Sequence, residues 1–240
     1  MGIFWDSIKQ AVVLLFSGDA YVYEVMWMSL RVAGSATLLG MVVGIPIGSW
    51  LAVKRFWGWG TAATVLNVGL MLPPVVVGLF VFLLLSRQGP LGPLGLLYSP
   101  TAMIIAEFFI AAPVIAAITM GGVASVPKDV RLQAMGLGAS RWQSTWLVIR
   151  EARVTLLAGI VAGFGAAISE VGAVMMVGGN ISIGGHNLTG TMTTATMAKV
   201  RQGDYAMAMA FGLILLLLAF VITFLLTRTQ QGIRRRWLQS

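Results

Sequence analysis

The chain has 240 residues, of which 58% are hydrophobic and only 10% are charged. A soluble domain carries roughly 25% charged residues, so this composition excludes a soluble protein and predicts one embedded in a membrane. The absence of cysteine excludes disulfides and zinc–thiolate sites, and a single histidine, His186, makes a histidine metal site implausible. The net charge of +8 is assigned to basic cytoplasmic loops rather than to nucleic-acid binding.

Residues 1–24 are predicted to form an N-terminal interfacial segment rather than a signal peptide. The apolar run within it is shorter than the ~7–15 residues of a signal-peptide core. Trp5, Ile8 and Val12 recur at helical spacing. We therefore expect an amphipathic helix at residues 3–17 that lies in the membrane interface.

Five apolar segments are each long enough to cross a bilayer, which takes about 20 mostly apolar residues. Residues 25–230 are predicted to form an all-α, polytopic transmembrane domain with five transmembrane helices, and residues 231–240 a basic tail. The predicted spans are about 26–51, 61–85, 101–125, 154–178 and 206–227.

The basic residues predict the orientation of these spans. Most of them fall in the loops after the first and third spans and in the tail, and the side of the membrane richer in Lys and Arg is cytoplasmic. The N-terminus is then outside and the C-terminus cytoplasmic. The residues on the richer side are Lys54, Arg55, Lys128, Arg131, Arg141, Arg150, Arg153, Arg228, Arg234, Arg235 and Arg236.

Glycine and proline interrupt the first four predicted spans, notably at 44–48, at Leu72-Pro73-Pro74 and at Pro113. Backbone groups freed at membrane depth must be satisfied by neighbouring segments or by a water-filled cavity. Tight helix packing can explain any single glycine, but the interruptions together indicate a gated pathway.

The loop at 127–151 is too long for a minimal connection. An acidic Asp129 suits the start of a helix, Gly138 can end it in a left-handed conformation, and Ser140 can cap a second helix. The prediction is a helical hairpin that projects into the cytoplasm and fits a groove in a partner. The alternative is a basic loop bound to lipid headgroups.

The stretch Leu132–Trp142, LQAMGLGASRW, resembles the coupling-helix motif of type I ABC importer permeases: Glu-Ala-Ala, three residues, Gly, nine residues, then Ile-x-Leu-Pro. Ala134 matches the second Ala, Gly138 the Gly and Val148 the Ile. Leu132 and Gln133 replace Glu and the first Ala, and Arg150-Glu151 replaces Leu-Pro.

Further segments extend the resemblance over about residues 25–230. Ser29–Ala33 with 44–48 looks like the first core span of these permeases. Leu72–Gly78 and Gly89–Gly92 look like the molybdate, tungstate and sulfate branch. Ser169–Ile181 and Arg201–Tyr205 look most like tungstate permeases.

The resemblance implies a multi-pass permease of the cell membrane that forms a homodimer, docks two ATPase subunits and receives an oxyanion from an external binding protein. The expected substrate is tungstate, possible alternatives being molybdate, sulfate or another anion. The sequence has no G-x-x-x-x-G-K-[ST] phosphate loop, so ATP and Mg are expected on the ATPase subunits and no cofactor, metal or catalytic residue in this chain. The expected coupling residues are Ala134, Met135, Leu137, Gly138, Ala139 and Ser140.

The candidate pathway or gate residues are Glu107, Ser169, Glu170 and Asn180. Burying a carboxylate in a membrane costs free energy, so such a residue is a candidate for a functional role. A charged carboxylate in the pathway would, however, repel a dianion. We therefore favour structural or gate roles, with each acid protonated or paired and Arg31 as a candidate partner, and keep a proton relay as the alternative.

The threonines and Asn180 between Gly179 and Asp204 offer neutral donors to an oxyanion, although a hydrated loop is an equal alternative. His186 is expected to be an exposed loop residue. A secondary transporter would show inverted halves, and an intramembrane enzyme would need a convergent catalytic set. Neither feature is evident in the sequence.

Overall fold

The computed structural model describes residues 2–17, 19–54 and 56–238, so Arg55 and the last two residues of the predicted tail lie outside the described residues. The described chain is mainly helical, with a short 3-10 helix at Gly92–Leu94 and one antiparallel pair of strands. The α-helices are α1 Gly2–Phe16, α2 Ala20–Val53, α3 Trp59–Gly69, α4 Pro74–Leu85, α5 Pro100–Ala124, α6 Lys128–Gly136, α7 Arg141–Glu151, α8 Arg153–Ile168, α9 Gly172–Gly178, α10 Met192–Arg201 and α11 Tyr205–Leu238; the strands are β1 Ser182–Ile183 and β2 His186–Asn187.

Three helices in the described part of the chain, α2, α5 and α11, are long and apolar enough to cross a membrane. Two bent pairs bring the number of candidate spans to five if each pair is one span: α3 with α4, bent by 99°, and α8 with α9, bent by 58°. The segments predicted as spans at 61–85 and 154–178 are therefore each two helices joined by a sharp break.

The break between α3 and α4 follows from proline chemistry. Proline lacks a backbone N–H and forces the preceding residue out of the helical region. Pro73 is extended, with ψ 123°, and Pro74 takes the first position of α4, where a missing N–H costs nothing because it has no helical acceptor. The expectation that Pro46 and Pro113 also interrupt their spans is wrong, since α2 and α5 continue through them.

A stripe of small residues explains how α2 and α5 stay together through those prolines. Gly40, Gly44 and Gly48 recur every fourth residue of α2, on one face of the helix. A β-carbon on Gly44 would lie 2.9 Å from the Ala112 backbone oxygen, and one on Gly48 would collide with the Ala116 oxygen. The absence of side chains thus lets the two backbones touch, as in small-residue membrane packing.

Helix α2 begins earlier than predicted because Asp19 caps it. The Asp19 carboxylate accepts hydrogen bonds from the backbone N–H groups of Tyr21 and Val22 at 2.9 and 3.2 Å, which satisfies donors at a helix start that have no helical partner. Helix α1 covers nearly the segment predicted as helical, and Ala11 packs with Phe211 of α11. Its position in the membrane interface stays a prediction.

The segment between α9 and α10 is tied to the start of α2. The Glu24 carboxylate accepts a 2.6 Å hydrogen bond from the Asn187 N–H and lies 2.9 Å from His186 Nδ1. Ser29 Oγ accepts a 2.7 Å bond from the Met192 N–H at the start of α10. The strand hairpin and α10 are therefore fixed relative to the first long helix.

Candidate functional site

The two helix breaks meet at a cavity of about 350 Å³. One wall is the break between α3 and α4, and the opposite wall is the break that follows α8. Helix α5 supplies a third, apolar wall. The lining residues are Gly69, Leu70, Met71, Leu72, Pro73, Pro74, Val77, Phe109, Ile110, Val114, Ala166, Ser169 and Glu170.

Close backbone approaches hold the two breaks against each other. A β-carbon on Gly78 of α4 would lie 2.5 Å from Ala173 Cα of α9, and one on Gly172 would lie 2.8 Å from a methyl group of Val75. Because packed segments at such short range shift as discrete units rather than deform gradually, α4 and α9 are placed to move together.

Glu170 stabilises the break after α8. Its Oε1 accepts a 2.9 Å hydrogen bond from the Ala173 N–H near the start of α9, and its backbone oxygen accepts another of 2.9 Å from Thr193 Oγ1. Ser169 lines the same cavity, with its hydroxyl donating to the Gly165 oxygen at 2.8 Å. Both residues thus satisfy groups that the break leaves unpaired.

Glu107 is the second intramembrane carboxyl and lies on α5. Its side chain is 2% exposed, and its Oε2 has no hydrogen-bond partner among the described residues. It does not line the cavity. Arg31 does not pair with it: Arg31 is exposed, and the ion pair found in the described residues joins His186 to Glu24.

Asn180 and the neighbouring threonines are used inside their own loop. Asn180 takes a left-handed conformation, with φ 49°, and its Oδ1 accepts a 2.9 Å bond from Thr194 Oγ1. Thr189 Oγ1 donates to the Gly178 oxygen at 2.6 Å, and Thr191 caps α10. Asn180 does not line the cavity. The hydroxyls of Thr189 and Thr194 are therefore not free donors for an anion in this conformation.

His186 is exposed, as expected, with 75% of its side chain accessible, but its contact with Glu24 was not foreseen. The two residues are 162 positions apart in the sequence, and no local sequence pattern predicts that they are in contact. A carboxylate near the start of a long apolar helix was the signal that the sequence offered.

The hairpin at 127–151 has the local structure that the sequence predicted. Gly138 is left-handed, with φ 89°, and the Ala139 N–H bonds the Ala134 oxygen at 3.0 Å to close α6. Ser140 and Gln143 cap α7 reciprocally, at 3.2 and 2.8 Å. Leu137 lies at the tip with 90% of its side chain exposed, so the turn presents an apolar residue that the described part of the chain leaves largely uncovered.

The hairpin is connected to the helices that wall the cavity. Ser144 Oγ of α7 donates to the Arg131 oxygen of α6 at 3.2 Å. Val148 of α7 packs in a buried cluster with Val123 of α5 and Leu156 of α8. A displacement of the hairpin is thus passed to both α5 and α8, each of which lines the cavity further along its length.

No group of three or more His, Asp, Glu or Cys side chains in the described ranges is placed to hold a metal ion. The geometry instead defines a class of protein: a helical, multi-spanning membrane protein with two broken spans around a cavity and an exposed helical hairpin. The chain belongs to the family of binding-protein-dependent transport system inner membrane components, whose model matches residues 44–235.

Relatives agree with this assignment. A probable anion ABC transporter permease of Haloferax volcanii is 39% identical over 82% of this chain and 86% of its own. A tungstate uptake system permease of Peptoclostridium acidaminophilum is 38% identical over 94% of this chain and 97% of its own. The predicted resemblance to tungstate permeases is thereby confirmed.

Solved structures share the fold. A bacterial alginate ABC transporter in complex with its periplasmic protein superposes with a TM-score of 0.73 at 18% identity, over 95% of this chain and 85% of that one. The MetNI methionine ABC transporter gives a TM-score of 0.68 at 18% identity, over 90% and 95%. At such identities the likeness concerns the fold alone.

Proposed function

We propose that this chain is the permease subunit of an ATP-driven importer that carries tungstate, and also molybdate, into the cell. The similarity to a tungstate uptake permease over nearly the whole length of both chains carries the proposal. Sulfate or another anion is the alternative, favoured by the anion permease relative.

The cavity between the two breaks is the proposed pathway. Its lining is mainly apolar, with Ser169 and Glu170 as the polar side chains. Among the described residues, no basic side chain lines it that would bind a dianion tightly. Conduction needs binding weak enough for release.

Glu170 acts as a gate residue that holds the break after α8, and Glu107 acts structurally as a neutral acid. We assign Asn180 a structural role in the external loop.

The partners follow from the same assignment. A second copy of this chain completes the pathway: α4 supplies a cavity wall and also leaves Val75, Leu79 and Phe80 exposed. Two ATPase subunits bind the hairpin through Ala134, Met135, Leu137, Gly138, Ala139 and Ser140, and hold ATP and Mg. An external binding protein delivers the anion.

The proposed arrangement places residues 25–230 in the cytoplasmic membrane as five spans, with residues 1–24 at the outer interface and 231–240 inside. The basic loops and tail support this orientation. The hairpin at 127–151 then faces the ATPase.

The test is uptake into vesicles that hold this permease with its own ATPase, supplied first with its own binding protein and then with one from a molybdate system engineered to dock. We expect both anions to enter, with selection following the binding protein, because tungstate and molybdate have near-equal size and charge. Strict tungstate selectivity with both proteins would place selection in this chain. Uptake of an amino acid or sugar, with neither anion transported, would overturn the substrate class.

A further inference from the structure

A large apolar groove separates the end of α2 from the start of α3. Its volume is about 1,070 Å³, at the upper end of the ~300–1,000 Å³ typical of ligand clefts. Ile47 and Leu51 line it from α2, and Ala62, Val65 and Leu66 line it from α3. Such walls offer little to water and suit a hydrocarbon chain.

Aromatic side chains crowd one end of this groove. Trp50 and Phe56 have ring centroids 4.8 Å apart. The indole N–H of Trp59 donates to the Leu51 oxygen at 2.6 Å and so fixes the junction between the helices. Trp57 is 100% exposed and lines the groove. Tryptophan is enriched at the level of lipid headgroups, so this end of the groove marks the membrane–water boundary.

A positive charge lies at the same end. Lys54 is exposed and follows directly after α2, and the sequence continues with a second basic residue, Arg55, outside the described residues. An apolar groove whose mouth carries a positive charge is complementary to a molecule with a hydrocarbon tail and an anionic head.

We propose that this groove binds one anionic phospholipid, with an acyl chain between α2 and α3 and its phosphate at Lys54. The groove is separate from the pathway because no described residue lines both: on α3 the groove ends at Leu66, and the cavity begins at Gly69, about 4.5 Å further along the helix. The site therefore goes beyond the proposed function and holds for any transported anion.

A second copy of this chain fits the groove less well. A second copy would have to supply an anionic group to Lys54 on covering it, because burying that charge unpaired is costly. A phospholipid instead supplies its own phosphate. The bound lipid would brace the junction of α2 and α3 and thereby the start of the broken span.

The test is native mass spectrometry of the full-length chain released from vesicles of equal parts phosphatidylglycerol and phosphatidylcholine. We expect retained phosphatidylglycerol to exceed phosphatidylcholine about fivefold, the effect of one basic residue near a charged membrane surface. Lys54→Gln should remove this preference and Thr61→Trp should displace the lipid. Two matched controls, Lys199→Gln and Thr64→Trp, should do neither, because Thr64 is exposed on α3 but does not line the groove.

A second measurement covers variants that fold poorly. The chain has no cysteine, so Thr61→Cys can carry a fluorophore, and brominated phosphatidylglycerol should quench it more than brominated phosphatidylcholine. Equal quenching, or equal retention of the two lipids by the wild type, would overturn the proposal. A disulfide-linked dimer through Thr61→Cys would assign the groove to a second copy and overturn it too.

Discussion

Thr193, at the start of α10, donates a hydrogen bond from its hydroxyl to the backbone oxygen of Glu170 over 2.9 Å. The two residues are 23 positions apart. The bond joins α10 to the break after α8, at the wall of the cavity. The break is therefore held by α10 as well as by the Glu170 side chain.

Replacing Thr193 with valine should loosen this connection. The change keeps the shape but leaves a part-buried carbonyl without its donor, which costs about 1–3 kcal/mol, and it also removes the 2.8 Å contact with the Thr191 hydroxyl. Thermal unfolding should shift downwards and anion uptake should fall, while Thr193→Ser should restore both. Thr196→Val is the matched control, since that hydroxyl bonds only the Met192 oxygen of its own helix. Equal effects of the two valine variants would contradict the assigned connection.

Substitutions of Glu170 separate its hydrogen bond from its charge. Glu170→Gln keeps an oxygen that can accept from the Ala173 N–H, so we expect uptake close to wild type. Glu170→Ala removes the acceptor and should destabilise the protein by about 0.5–2 kcal/mol, as for other helix caps. Uptake and thermal unfolding measured on both variants distinguish the cases. Loss of uptake in a well-folded Glu170→Gln would show that the carboxylate itself is required.

Glu107 provides the corresponding test of proton transfer. Its side chain is buried and does not line the cavity, and glutamine has the same shape without an exchangeable acidic proton. Glu107→Gln should therefore leave uptake of the anion close to that of the wild type. Uptake should be followed with and without an imposed proton gradient. If uptake by the wild type depended on the proton gradient and uptake by Glu107→Gln did not, Glu107 would be part of a proton relay.

The turn of the cytoplasmic hairpin offers a matched pair of glycines. Gly138 has φ 89°, whereas Gly136 ends α6 in an ordinary conformation, and neither would meet a neighbour with an added β-carbon. Gly138→Ala should strain the turn by roughly 1–2 kcal/mol and reduce transport and ATPase association. Gly136→Ala should leave both unchanged. Membrane insertion of both variants is checked by immunoblotting, and identical behaviour would remove the turn geometry from the mechanism.

A second pair of glycines tests the packing of α2 on α5. Gly44→Ala would place a methyl group 2.9 Å from the Ala112 oxygen, and Gly34→Ala would place one in open space. Overpacking typically costs about 1–3 kcal/mol, so Gly44→Ala should lower the unfolding temperature. Gly34→Ala should leave it unchanged or raise it, because alanine is the better helix former. A stable Gly44→Ala would show that α2 and α5 can separate without loss.

The orientation is tested by fusing a reporter enzyme at successive points of the chain. From the distribution of basic residues, the fusions should read inside, outside, inside, outside and inside. An external C-terminus would invalidate the five-span arrangement. The fusion points are after Arg55, Ser99, Arg141, Thr191 and Ser240.

The sequence by itself determined the class of the protein, the helical hairpin and the position of one of the two breaks, at Pro73 and Pro74. These features depend on local chemistry: apolar composition, the missing N–H of Pro73 and Pro74, the freedom of Gly138 to adopt positive φ, and the capping oxygen of Ser140. Local patterns of this kind act within a few residues, so they can be read without knowledge of the fold.

Only the tertiary structure decided what the breaks enclose. Helix α5 stays continuous through Pro113, where it packs against the neighbouring α2. The threonines between Gly179 and Asp204 were expected to be free donors, but they bond to partners such as Asn180 and Gly178. The contacts of Glu24 with His186 and of Thr193 with Glu170 join residues distant in sequence. Such pairs follow from how helices pack, because each local pattern is compatible with many arrangements and only close packing selects one.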